Sequence, residues 1–137
     1  MAEATIRPWR ESDREAVIGL ILPIQQEEYG IAITRAQQPD LEDVPGTYRR
    51  GEGEFWVAEA EGRIVGTIAL IDVGPDLPGR REGAIRKMFV AADWRGRERG
   101  IAKRLLAGLT AHARARGFAA LSLGTIGRFP PARRFYE

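Results

Sequence analysis

Arg95-Gly96-Arg97-Glu98-Arg99-Gly100-Ile101-Ala102 joins a strand-like segment to a helix-like one. The first amides of a helix have no intrahelical acceptor and sit at the positive end of the helix dipole, so such a junction can hold a pyrophosphate. Gly100 lets the backbone come close to a ligand, and small Ala102 leaves the first turn uncrowded. A plain helix start with solvated arginines is the other reading of the same residues. Neither G-x-G-x-x-G nor G-x-x-x-x-G-K-[ST] is present, so the two common nucleotide loops are excluded.

On the N-terminal side of the junction, Gly83 to Val90 reads as a strand with a break in parity. Ile85 and Met88 are three residues apart, whereas Met88 and Val90 are two apart. An extra residue near Arg86-Lys87, a β-bulge, would return Ile85 and Met88 to one face; a strand buried on both faces explains the pattern equally well. On the other side, a helix from Gly100 to Arg116 carries Ile101, Leu105, Leu109 and Ala113 four apart, with Leu106 beside them and Gly117 as its C-cap. Ala119 to Gly124 then reads as a strand. Gly83 to Gly124 is therefore a βαβ unit with parallel strands.

The remaining elements follow from local signals. Thr5 to Trp9 is a short first strand, with Pro8 tolerated at an edge. Ser12 and Glu15 fit a capping box before a helix in which Val17, Ile21 and Ile24 share a face, until Pro23 bends or ends it. Leu41, Val44 and Tyr48 suggest a weaker second helix interrupted by Pro45 and Gly46. Phe55 to Ala60, the dipeptide Glu61-Gly62, and Arg63 to Val73 form two strands joined by a hairpin turn.

Composition bounds the chemistry. The 137 residues, 44% hydrophobic and 29% charged, suit a single folded domain spanning residues 1–137. No apolar run reaches the ~18 residues of a membrane span, and Met1-Ala2-Glu3-Ala4 lacks signal-peptide order, which points to the cytoplasm and away from a membrane partner. Zero cysteines and one histidine leave no disulfide, no thiol nucleophile and no zinc set, so no metal is expected. Net charge is only +2 although 19 of the 21 basic residues are arginine. The arginines cluster locally, which suits one phosphorylated ligand better than nucleic acid.

Arg97, Gly100 and Ala102 match [Q/R]-x-x-G-x-[G/A], and Phe135-Tyr136-Glu137 matches an F-Y-E signature. With the element order from Thr5 to Glu137, the chain thus resembles the GCN5-related N-acetyltransferase (GNAT) family. The resemblance implies an α/β (α+β) fold: a mixed, mostly antiparallel central sheet with flanking helices and one parallel βαβ unit. It implies acetyl transfer from acetyl-CoA, as co-substrate, to a primary amine of a small molecule or peptide by direct attack. A non-catalytic acyl-CoA-binding domain is the alternative.

Site residues follow from the same resemblance. Arg95, Arg97, Glu98, Arg99, Gly100, Ile101 and Ala102 would hold the CoA pyrophosphate. Met88, Phe89 and Val90 would pair their backbone with the pantetheine arm, and an N–H near Phe89 would receive the oxyanion. Tyr136 matches the general acid, while Glu27, Glu28 and Glu82 are candidate bases. Gln26, Tyr29 and Trp56 could line the acceptor pocket; His112 reads as a surface residue and Trp94 as a packing anchor. The family normally adds a β-hairpin after F-Y-E, and this chain stops at Glu137. That leaves the edge of Ala119 to Gly124 open, and an open edge implies a homodimer or a marginally stable chain.

Overall fold

The computed structural model describes residues 3–75, 80–96 and 99–123. Arg97, Glu98, Gly124 and the F-Y-E segment with Tyr136 lie outside the described residues. Five strands form one sheet in chain order: β1 (Thr5–Pro8), β2 (Glu54–Ala60), β3 (Arg63–Gly74), β4 (Arg81–Val90) and β5 (Phe118–Leu123). The first three pairings are antiparallel and the last, β4 with β5, is parallel. This is the mixed sheet with one βαβ unit that the residue patterns imply.

Helices cover both faces. On one lies α4 (Ile101–Ala115), whose buried Ile101, Leu105, Leu109 and Ala113 sit four apart and meet Val65, Ile68, Leu70 and Ile85. Gly66 permits this closeness, because a Cβ there would lie 3.0 Å from side-chain atoms of both Ile101 and Leu105. The other face carries α1 (Arg14–Pro23), α2 (Pro39–Glu42) and α3 (Val44–Tyr48), which bury Val17, Ile21, Leu41, Val44 and Tyr48 against Phe55 and Val57. The expected second helix is thus two short ones. Asp43 caps the second by accepting the Gly46 amide at 3.0 Å, and Pro45 falls in its first turn, where no intrahelical N–H is required. After Pro23 the chain continues as a π-helical turn, Ile24–Glu28. The hairpin turn is as expected, with Glu61 and Gly62 at φ 52° and 76°, the left-handed pair that matches strand twist.

One local expectation is corrected. Ser12 and Glu15 do not form the capping box; Asp13 accepts the Arg10 amide at 2.7 Å. Arg7 holds that carboxylate with two parallel bonds of 2.8 and 2.9 Å and reaches Glu59 at 2.9 Å, tying β1, β2 and the start of α1 together. Glu15 is drawn away to Arg35. Asp13 is buried, which alone would raise its pKa, but the Arg7 bonds and the Arg10 amide bring it below the ordinary 3.8.

Asp13→Ala should therefore cost about 3 kcal/mol at neutral pH, as expected when one partner of a buried ion pair is removed. A carboxylate with a depressed folded pKa stabilises fully above 3.8 and loses that contribution as pH falls toward the folded value. Urea unfolding should show the gap between wild type and variant closing with acidification. A gap independent of pH would assign Asp13 a packing role only.

Candidate active site

Among the described residues the outer edge of β4 pairs with β5 from Arg81, opposite Phe118, to Ile85, opposite Leu123. From Arg86 to Val90 it has no strand partner among the described residues. The inner edge changes register at the same place: Phe89 faces Thr67 and Arg86 faces Ala69, so Lys87 and Met88 together oppose Ile68. This is the β-bulge that the Ile85–Met88 parity suggests, and it puts Ile85, Met88 and Val90 on the α4 face. Lys87 takes the left-handed conformation, φ 54°. Its carbonyl accepts the hydroxyl of the fully buried Thr67 at 2.7 Å.

The Lys87 side chain runs to the opposite face, under the α1–α3 layer. Its Nζ donates to Gln38 Oε1 at 2.6 Å and lies 3.5 Å from Asp40 Oδ2. Gln38 and Gln25, both buried, exchange amide bonds of 3.0 and 2.9 Å, and the Tyr48 hydroxyl donates to Asp40 at 2.5 Å. Burial lowers the Lys87 pKa, with Asp40 opposing. Burial and then Asp40 raise the Tyr48 phenol. The network fastens the bulge to the π-turn and to α2.

At the other end of the opening, Gly100 caps α4 at φ 60°, and the first intrahelical bond is Arg104 N to Gly100 O at 2.9 Å. The amides of Ile101, Ala102 and Lys103 precede that bond and so lack intrahelical acceptors. Ile101 points its side chain into the core, leaving its backbone for a ligand. Arg99 stacks over the buried Trp94, 4.4 Å from the ring centroid, so Trp94 is the packing anchor expected of it. Arg95 donates from Nε to the Val90 carbonyl at 2.8 Å and grips Glu28 with bonds of 2.6 and 3.1 Å. The Arg95 bonds pull the Glu28 pKa below its ordinary value. As placed, Glu28 is an ion-pair anion and Arg95 is not free for phosphate.

Other candidates are sorted by position. Tyr29 lies over Phe89, ring centroids 6.2 Å apart, which puts it beside the bulge. Glu27 is exposed on the π-turn, and Gln26 closes the following loop by donating to Ile33 O at 2.6 Å. Glu82 is exposed at the far end of β4, seven residues before Phe89 and so roughly 20 Å along the strand. Trp56 is corrected: it is buried beneath α4, edge-on to His112 at 5.1 Å, on the wrong face for an acceptor pocket. His112 is half-buried, with its Nε2 2.8 Å from the Glu52 carbonyl. Residue patterns alone missed Lys87, Gln25 and Gln38. Two adjacent bases interrupting an apolar strand were the available signal for Lys87. Among the described residues no cluster of His, Cys, Asp or Glu is placed to hold a metal, and no helix is long and apolar enough to cross a membrane.

A mixed sheet that opens beside a bulged strand and leads to a free helix N-terminus defines the acyl-CoA N-acyltransferase class of fold. The acetyltransferase (GNAT) family model matches residues 15–137, and the chain belongs to that family. A GNAT-family acetyltransferase from Staphylococcus aureus Mu50 is similar at 35% identity and TM-score 0.83, over 97% of this chain and 80% of that one. An acetyltransferase from Streptococcus agalactiae 2603 shares the fold at 24% identity and TM-score 0.84, over 97% and 79%. Rat N-acetyltransferase family 8 member 2 is 37% identical over 49 residues, which are 36% of this chain and 22% of that protein. The matched segment thus spans under a quarter of that relative's length. Acyl transfer is the class of chemistry these likenesses support.

The lowered Lys87 pKa has a testable sign. Between its folded value and the ordinary 10.5, the unfolded chain keeps a proton that the folded chain sheds, so this group's contribution to stability rises with pH. The stability of wild type relative to Lys87→Met should accordingly increase as pH rises toward 10.5, measured by denaturant unfolding. Above that range Tyr48, with its raised pKa, acts in the opposite direction in both proteins. A flat difference would show that Lys87 is charged throughout.

Proposed function

We infer that this protein transfers the acetyl group of acetyl-CoA to a primary amine by direct attack. The observation that carries this reading is the β-bulge at Lys87-Met88 on β4, on the strand that leads by way of Trp94 to the Gly100-capped N-terminus of a 15-residue helix. A thioester arm needs backbone groups to pair with, and a pyrophosphate needs free amides. The described residues offer both, and the left-handed Gly100 leaves no Cβ in the way.

The amides of Ile101 and Ala102, together with Arg97, Glu98, Arg99 and Gly100, would hold the pyrophosphate. Met88 and Phe89 would pair with the pantetheine arm. Val90 joins them only if Arg95 releases its carbonyl, and the same release would free Arg95 for phosphate and Glu28 for proton transfer. Until then Glu27 is the more available carboxylate, acting directly or through water. A backbone N–H near Phe89 would stabilise the oxyanion formed as the amine adds to the thioester carbonyl. Tyr136, matched to the family's F-Y-E motif, would protonate the departing thiolate.

Acetyl-CoA at a hundredfold excess over its dissociation constant should stabilise the protein by about 2.7 kcal/mol, read as a melting shift. Gly100→Asp should abolish the shift by adding a carboxylate and a strained side chain at the phosphate position. A folded wild type that does not respond to millimolar acetyl-CoA would end the acyl-transfer reading.

Tyr136→Phe should lower kcat by about 10²–10⁴-fold with acetyl-CoA affinity unchanged. Undiminished turnover, followed by released thiol, would reassign Tyr136 to packing.

A further inference from the structure

Arg86 stands immediately before the bulge, on the open stretch of β4. Its strand neighbour is Ala69, which belongs to the α1–α3 face, so the guanidinium extends toward that layer. It is half-buried, and among the described residues it makes no ion pair and its solvent-shielded Nη1 has no hydrogen-bond partner. Comparably shielded arginines in this chain are answered: Arg7 by Asp13, Arg49 by Glu54 and Arg81 by Asp72. Lys87 and Tyr48, the groups beside Arg86, already share the carboxylate of Asp40. Two cations thus face one anion beside the bulge.

A partly desolvated cation with an unmet donor is costly, and a group from outside the chain that met the donor would offset the cost. The exposed Tyr29 over Phe89, beside the bulge that Arg86 precedes, places this cation on the side from which an amine would approach. We propose that Arg86 is the specificity-determining residue of the acceptor site, and that the acceptor is a small amine bearing its own anionic group, a carboxylate or a phosphate. The proposal rests on the acyl-transfer reading above. A guanidinium can take either anion through two parallel N–H bonds, and Lys87 next to it adds to the positive field. A plain alkylamine would leave the same guanidinium unmet, and its own ammonium would be repelled by two cations.

The test uses the full chain saturated with CoA. The Arg86 Nε–H resonance is followed during titration with ω-amino acids from glycine to 6-aminohexanoate, each against the alkylamine of equal length, and with O-phosphoethanolamine against ethanolamine. At least one anion-bearing amine should shift that resonance and bind about tenfold or more tightly than its counterpart lacking the anion, the scale of a charge-assisted bond. Response to the amino acids alone identifies a carboxylate, and response to the phosphate alone a phosphoryl group. Arg86→Met should reduce the preference to within about twofold, leave acetyl-CoA affinity unchanged, and melt no lower than wild type, because it removes an unmet buried donor. The preference in wild type needs no variant, so a poorly folding Arg86→Met would not rescue the idea. If acetyl-CoA stabilises the protein but no anion-bearing amine outbinds its counterpart lacking the anion, the inference about Arg86 is wrong and acyl transfer stands. If acetyl-CoA does not bind, the acyl-transfer reading fails and this one with it.

Discussion

The hydrogen bond from the Thr67 hydroxyl to the Lys87 carbonyl is the contact on which the open strand depends. A bulge leaves one residue's backbone groups without ladder partners, and in the middle of a sheet such groups are expensive unless something else meets them. Thr67, with no exposed surface, supplies a donor from the neighbouring strand at 2.7 Å, so the extra residue is accommodated without an orphan carbonyl. The Lys87 side chain adds a second hold through Gln38 and Asp40. Without both, the left-handed φ of a non-glycine residue would favour relaxation to regular pairing and closure of the slot.

Because those holds come from opposite directions, the two layers are coupled at one point. Ile85, Met88 and Val90 pack on the α4 side, where Gly66 lets the first turn of that helix sit close to β3. Lys87 reaches through to the other layer, where Gln25 lies on the π-turn and Gln38 just ahead of α2. A π-turn adds a residue to a helical run, and here it sets Gln25 inward while Glu27 and Glu28 remain outside. Any displacement of the α1–α2 region is therefore felt at the bulge through buried polar bonds, which are stronger there than they would be in water.

The sheet order, the hairpin and the βαβ unit were legible because they rest on short-range signals: the Glu61-Gly62 turn, the four-residue spacing in α4, and glycine at both of its ends. The bulge was legible as one of two options from three residues, Ile85, Met88 and Val90, because a two-residue period forbids placing all of them on one face otherwise. Polar residues were harder. Ser12 has the composition of a cap, but the long-range partner Arg7 positions Asp13 for that work, and no local pattern carries a contact between β1 and α1. Trp56 looked available for a ligand because sequence alone does not say which face of β2 meets α4. Gln25 and Gln38 were passed over for the same reason, since they lie 13 residues apart, and the Arg95–Glu28 pair, 67 residues apart, carried no local signal either.

The distribution of charge separates scaffold from site. At Arg7, Arg49 and Arg81 each shielded guanidinium has a carboxylate, the condition for burying a cation without loss. Arg95 and Glu28 satisfy one another too, but they do so at the surface and across the mouth of the slot, where the pair gains little in water and can open at small cost. Arg86 satisfies nothing among the described residues. Three conditions are thus present: ion pairs that hold, one that can yield, and one cation without a partner among the described residues. A stability-driven sequence would have placed an apolar residue at Arg86, and the retained imbalance is what marks that edge as the place where an outside group completes the structure.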